Sequence, residues 1–342
     1  MKKWIALLLV LLQLSGCAGK PADNSPYYGA VSNTSEIFAV LALCGNRLVY
    51  LTLDKSDEAG ISVMDVSTGK SEQICTLPDY QMNPANVACQ DGTLYFNYMT
   101  KDVGRKMLAV DTVEKSAKTI GAWEPSTFLG LVYSVAGPDA VYSLAHDSAG
   151  CSVIEEYRIK ADESRDAWPP TTVQRIRAIS VFEGDIYAVV SSLEKDAIVR
   201  YNECGEPGQE WDIREFAGAK IREEQIGHFQ FMGDCFYLQN FSGEGCAFRL
   251  DGTPVEALTG CSTASDDPSD KPLYTFYRRG TAEPLLLLTP GGPEPECFQP
   301  EIPKGFVIRY AYTDAENAAR LLLSLVNEET GEERVSILSV KA

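Results

Sequence analysis

One interval recurs along this chain and constrains its fold more than any other feature. A glycine turn followed by a strand of aromatic and aliphatic residues appears at Gly45-Asn46-Arg47-Leu48-Val49-Tyr50, Gly92-Thr93-Leu94-Tyr95-Phe96, Gly137-Pro138-Asp139-Ala140-Val141-Tyr142, Gly184-Asp185-Ile186-Tyr187 and Gly233-Asp234-Cys235-Phe236-Tyr237. The glycines at 45, 92, 137, 184 and 233 are 47, 45, 47 and 49 residues apart, and Gly280 follows 47 later. An apolar run precedes most of these turns, at residues 37–43, 87–89, 128–135, 176–182 and 229–232. Glycine lets the chain reverse there because it adopts positive φ without steric cost. In the first repeat a third strand follows at Ile61-Ser62-Val63-Met64-Asp65-Val66, then a turn at Ser67-Thr68-Gly69-Lys70, then a fourth strand over 71–77. The unit is therefore four short antiparallel strands, and regularly spaced strands of this kind predict an all-β chain.

A four-stranded unit of this length is the size of a propeller blade. The chain resembles the β-propeller superfamily over residues 30–340, and within it the bacterial lipoproteins that carry an unspecialised propeller. That resemblance implies an all-β propeller of seven blades, each of four antiparallel strands; six blades is the alternative count. Three strands at 306–313, 320–326 and 335–340 and a fourth at 27–32 would close the ring by joining the two ends of the chain, which removes open sheet edges. The repeats lack the Gly-His and Trp-Asp pattern of WD repeats, the double glycine of kelch repeats and the Asp box of sialidases, so the architecture carries no function with it. A β-sandwich or two smaller β domains is the competing architecture. Residues 260–303 are rich in Pro, Asp and Gly, and their strands resist placement.

The first residues carry an export pattern. Lys2 and Lys3 precede an apolar run over 4–12, which is too short to span a bilayer but fits the apolar region of a signal peptide. Leu14-Ser15-Gly16-Cys17 follows and resembles a bacterial lipobox. The resemblance implies cleavage before Cys17, a diacylglycerol on its thiol, and a lipid anchor on the extracytoplasmic face of a bacterial membrane. The division expected is a signal peptide at 1–16, a flexible tether at 17–29 and the propeller at 30–342; the small, polar and Pro residues of 18–26 suit a tether.

Composition narrows the partners. The formal charge is −18, and removing Lys2 and Lys3 makes it −18 − 2 = −20. A chain this acidic does not attract phosphate backbones, so nucleic acid is not an expected partner. Besides Cys17 there are nine cysteines, without a Cys-x-x-Cys or a zinc-type spacing, and several sit in apolar runs where a thiol behaves as a small hydrophobe. They read mainly as reduced structural thiols. His146 and His228 are the only histidines, which rules out a His-rich metal cage, and neither a nucleophile elbow nor a phosphate-cradling glycine loop is present. Ser265-Asp266-Asp267-Pro268-Ser269-Asp270 lacks calcium-loop spacing and reads as a solvated acidic loop. No metal or cofactor is expected, though a carboxylate pair for hydrolase or lyase chemistry is compatible with 48 acidic residues.

The first strand of each repeat supplies the candidate binding residues. Asn86, Arg177, His228 and Arg309 stand among apolar neighbours and would line one mouth of the channel, as an anion or acidic-glycan site or as ordinary solvated lining. Tyr80 and Trp123, read as loop aromatics beside prolines, are the second candidates, since exposed aromatics stack on sugars or anchor proteins. Trp168 is assigned to the opposite rim. The functional expectation is a membrane-tethered, non-catalytic module that binds a protein or glycan. A carboxylate-based carbohydrate hydrolase or lyase, or a sensory or assembly partner of a membrane complex, are the alternatives.

Overall fold

The computed structural model describes residues 27–29, 37–53, 58–82, 87–102, 104–123, 133–137, 139–146, 152–166, 175–191, 196–202, 205–214, 226–240, 243–265, 269 and 271–340. Their strands form seven separate antiparallel sheets. The first blade comprises β2 (Ile37–Cys44), β3 (Arg47–Leu53), β4 (Ala59–Asp65) and β5 (Ser71–Leu77). The second holds β6 (Tyr80–Met82), β7 (Val87–Gln90), β8 (Thr93–Thr100), β9 (Arg105–Asp111) and β10 (Ser116–Trp123). The third holds β11 (Tyr133–Ala136), β12 (Ala140–His146), β13 (Ser152–Arg158) and β14 (Glu163–Asp166). The fourth holds β15 (Arg175–Phe182), β16 (Asp185–Ser191), β17 (Asp196–Tyr201) and β18 (Pro207–Asp212). In the fifth, β19 (Ile226–Phe231), β20 (Cys235–Asn240) and β21 (Gly245–Arg249) are completed by a single bridge between Phe248 and Pro254. The sixth holds β22 (Ser262–Thr263), β23 (Tyr274–Tyr277), β24 (Leu285–Leu288) and β25 (Glu296–Phe298).

The seventh blade joins the chain ends. Its order is β1 (Tyr27–Gly29), β28 (Glu333–Ser339), β27 (Arg320–Asn327) and β26 (Phe306–Thr313), with Tyr27 opposite Ile337 and Gly29 opposite Val335. The expected closure is therefore present, with Tyr27–Gly29 as its N-terminal strand. The calls on residues 1–26, Cys17 and the signal peptide among them, lie outside the described residues.

Burial explains the strand patterns. The middle strands of a blade are covered on both faces by neighbouring blades, so their apolar residues run together instead of alternating. β4 and β16 show this, with six and five consecutive buried residues, whereas the outermost β18 exposes its first four. Apolar clusters fill each interface in turn: Leu41 and Val49 with Val87 and Phe96, Tyr95 with Tyr157, Ile154 and Ile186 with Phe229 and Phe236, Tyr237 with Phe276, Leu285 with Ile308 and Leu323, and Leu48 and Tyr50 with Leu322 and Ile337. The last of these packs the first blade against the seventh and closes the ring.

The glycine punctuation works as the repeat predicts in Asp91-Gly92 and Glu183-Gly184, where both turn residues have positive φ (49° and 75°, 51° and 86°). Such turns match the twist of the strands they join. The repeat loses phase after the fifth glycine. A one-turn 3₁₀ helix, Glu256–Leu258, replaces a fourth strand in the fifth blade, and the inner turn of the sixth blade falls at 264–273. Gly280 therefore lies between β23 and β24, at the opposite rim from the other repeat glycines.

Candidate functional site

The two rims of the ring are built differently. On one, which we call the turn rim, each inner strand passes to its neighbour. Two residues suffice at 45–46, 91–92 and 183–184, and three at 137–139 and 232–234. On the other, the loop rim, the outermost strand of one blade leads to the inner strand of the next. There 124–132 is nine residues, 167–174 eight and 213–225 thirteen. Long surface connections are the usual carriers of binding function on a rigid scaffold.

The turn rim has two exceptions. In the sixth blade the connection between β22 and β23 spans 264–273, and its Ser269 bonds to other blades. The Ser269 hydroxyl accepts a hydrogen bond from the Ala136 amide of the third blade (2.8 Å), and the Ser269 carbonyl accepts one from Gln230 Nε2 of the fifth (2.7 Å). Ser269 is 5% exposed. Ser269, within the segment read as a solvated acidic loop, is therefore a buried tie to two other blades, which no local pattern signals because its partners lie 133 and 39 residues away. Asp266, Asp267 and Asp270 lie outside the described residues.

The second exception joins the ring ends. Asp314, 2% exposed, accepts hydrogen bonds from the amides of Gly45 (2.8 Å) and Glu316 (2.9 Å) and from Arg320 Nη1 (3.3 Å). Arg320 also donates to the Gly45 carbonyl and to Asn46, Arg47 pairs with Glu316, and the Ala315 amide donates to the Leu43 carbonyl. Three donors satisfy this buried carboxylate, and the network holds both blades in register.

At the loop rim, a cationic and aromatic group sits between the sixth and seventh blades. The connection after β23 docks on β26: the Gly280 amide donates to the Ile308 carbonyl (2.8 Å) and the Ile308 amide to the Thr281 carbonyl (2.7 Å). Just beyond Ile308 the register of β26 slips, so Arg309 is the extra residue of a bulge. Bulges re-aim side chains. Here the effect is to bring two guanidinium groups onto Tyr310: Arg279 lies 4.6 Å from the ring centroid and donates to the hydroxyl (2.7 Å), and Arg309 lies 5.7 Å from the same centroid. Arg309 also pairs with Glu333. Burial pushes the Glu333 carboxyl above its usual range, with Arg309 pulling against that shift.

Arg279 differs from the arginines around the ring. Arg47, Arg105, Arg158, Arg200, Arg214, Arg249, Arg278, Arg309, Arg320 and Arg334 each pair with a carboxylate. Arg279 is exposed and has no carboxylate partner among the described residues. In a chain of charge −18, that leaves a positive group directed at a rim.

The sequence-predicted residues fare unevenly. Arg177 is the bulged residue of β15, as Arg309 is of β26, so both inner strands carry an arginine near their loop-rim ends. His228 follows a bulge in β19 but is 3% exposed, 6.3 Å from the Tyr237 ring, and forms part of the wall rather than a mouth. Tyr80 is not a loop aromatic: it is 7% exposed and 5.9 Å from Tyr98. The reason is a divided inner strand, in which β6 pairs with the far end of β8 and β7 with its near end. Asn86 lies outside the described residues. Trp123 ends β10 opposite Arg105, and its side chain lies outside the described part. Trp168 also lies outside the described residues. Arg279 and Tyr310 were missed; the signal for the first was an arginine pair before a glycine, Arg278-Arg279-Gly280, in an acidic chain.

Among the described residues no group of three or more His, Cys, Asp or Glu is placed to hold a metal ion, and no helix is long and apolar enough to cross a membrane. Ring, blade count and closure define a seven-bladed β-propeller. No protein-family model matches the sequence, and no curated protein matches it. Solved structures share the fold. A structure of YCF48 bound to D1 peptide is 14% identical with a TM-score of 0.50, over 95% of this chain and 99% of that one. An oligogalacturonate lyase from Vibrio parahaemolyticus is 10% identical with a TM-score of 0.51, over 90% and 91%. A prolyl endopeptidase is 9% identical with a TM-score of 0.52; the match covers 86% of this chain but 47% of the peptidase.

Proposed function

We propose that this propeller is a lipid-anchored binding module on the extracytoplasmic face of a bacterial membrane, and that its protein or glycan ligand presents an acidic group to the loop rim. The anchor is the lipid expected on Cys17. The observation that carries the binding site is the contrast between the rims: at the turn rim Ser269 and Asp314 are bound to other blades, while at the loop rim exposed Arg279 stacks on Tyr310 without a carboxylate partner among the described residues. A guanidinium offers several donors in one plane, so after donating to Tyr310 it retains others for a ligand carboxylate. Arg309, in ion pair with Glu333, would add field to the same group, and Arg177 is the further candidate on this rim. YCF48 supports the reading in one respect: it is a propeller of the same extent with a bound peptide, so a ring of this size suffices for binding without a further domain.

Two experiments test the two halves. Labelling cells with a fatty acid should mark the wild type and not Cys17→Ser; label that survives the substitution removes the anchor. Titration of the purified protein with uronate oligosaccharides, neutral oligosaccharides and acidic peptides should give binding only to ligands bearing carboxylates. Equal affinity for neutral and acidic members would contradict the site.

A further inference from the structure

One of the two guanidiniums at the loop rim is already held by a carboxylate of the chain itself. Glu333 is the first residue of β28, directly after the turn at 328–332, and it pairs with Arg309 of β26. β27 lies between those two strands, so the Arg309 side chain runs across it, a span of about 10 Å at ordinary strand spacing. The contact is sparingly made. Among the described residues it is a single hydrogen bond, from Arg309 Nη1 to Glu333 Oε1, and Glu333 Oε2 is buried without a partner. A bare, desolvated oxygen is costly, and a two-armed contact between guanidinium and carboxylate would be stronger. Asp314, in the same blade, accepts from three donors instead. The Glu333 side chain is 11% exposed and that of Arg309 26%. A ligand at the rim can therefore reach the guanidinium while the carboxylate stays enclosed.

We propose that Glu333 is an internal competitor for the loop-rim site: it occupies Arg309 until a ligand carboxylate takes its place. The proposal rests on the reading of the loop rim as a carboxylate site and adds a threshold to it. Arg279 receives the ligand first, because among the described residues no carboxylate holds it. Arg309 then turns from Glu333 to the same ligand. Its guanidinium is already 5.7 Å from the Tyr310 ring centroid, against 4.6 Å for Arg279, so a side-chain rotation brings both cations to one ligand. Glu333 loses its counterion but stays enclosed, and that cost lowers the affinity of every ligand that reaches Arg309. A ligand with one carboxylate stays on Arg279. A ligand with two neighbouring carboxylates, such as an oligouronate or a run of acidic residues in a peptide, can overcome the competitor by satisfying both guanidiniums.

The test is calorimetric titration with trigalacturonate and with a tri-aspartate peptide. Wild type is compared with Glu333→Gln, Arg309→Ala/Glu333→Gln, Glu329→Gln and Arg279→Ala. Glu333→Gln should bind about tenfold more tightly than wild type, since a charged competitor is removed from a charged donor. The gain should vanish in Arg309→Ala/Glu333→Gln. Glu329 is an exposed carboxylate in the same turn, and Glu329→Gln should change affinity by less than about twofold, because an exposed charge is screened. Equal affinity in wild type and Glu333→Gln, a gain that survives loss of Arg309, or an equal gain in Glu329→Gln overturns the proposal. The carboxylate site itself still stands in those cases if Arg279→Ala weakens wild-type binding. If wild type and Glu333→Gln bind neither probe, the site and its competitor fall together. Glu333→Ala replaces Glu333→Gln should the amide disturb folding.

Discussion

The turn rim and the loop rim share one set of strands and yet are put together on opposite principles. At the turn rim, polar groups are spent on the protein itself: Asp314 answers Gly45, Glu316 and Arg320, and Ser269 answers Ala136 and Gln230. At the loop rim, Arg279 meets a tyrosine rather than a carboxylate. A satisfied buried network holds one arrangement, because any partner lost leaves a desolvated group behind. An exposed cation on an aromatic ring leaves donors for something else. The difference teaches that one closed ring can tie its polar groups into its own blades at one end and leave an exposed cation without a carboxylate partner among the described residues at the other.

Substitutions at each rim break or sharpen this contrast, and the largest effect is expected from the closing blade. Truncation after Gly331 removes β28, which pairs with both β27 and β1 and buries Val335 and Ile337 against the first blade. Loss of the cooperative thermal transition is expected by calorimetry; a truncated chain melting at the parent temperature would separate closure from stability. Asp314→Ala comes next. It leaves two amides and a guanidinium without their acceptor, at a cost of about 3 kcal/mol, measurable by denaturant unfolding. Ser269→Ala withdraws the acceptor of one buried amide and should cost about 1–2 kcal/mol. Arg279→Ala, on an exposed side chain, should change stability by less than about 0.5 kcal/mol. If Arg279→Ala proved as damaging as Asp314→Ala, the loop rim would be structural as well, and the contrast would fail.

Much of the ring was legible in the sequence, for a physical reason. Tight turns between strands need positive φ, glycine supplies it, and so Gly45, Gly92, Gly184 and Gly233 mark four blades from local chemistry alone. The closing strands were equally legible, because an unpaired edge at each end of the chain asks for a partner. Phase was lost in the sixth blade, where the inner turn is ten residues, 264–273, and no glycine marks it. The site was harder to read. His228 looked like a channel residue because its strand is innermost, but the preceding bulge places it in the wall. Tyr80 looked exposed because prolines flank it, while the divided inner strand buries it against Tyr98. Arg309 was found by its strand and Arg279 was not, because Arg279 reaches Tyr310 only through the docking of one blade's turn on the next.

The claim that the rims divide structure from recognition is tested most directly by one paired titration. A carboxylate-bearing ligand identified from the oligosaccharide and peptide series is titrated calorimetrically against wild type, Ser269→Ala and an Arg279→Ala/Arg309→Ala double variant, each at a temperature where it is folded. The account predicts wild-type affinity for Ser269→Ala and a loss of about tenfold or more for the double variant, as expected when a charged hydrogen-bond donor is removed from a bound carboxylate. Unchanged affinity in the double variant, with weakened binding in Ser269→Ala, would place the ligand at the turn rim and contradict it.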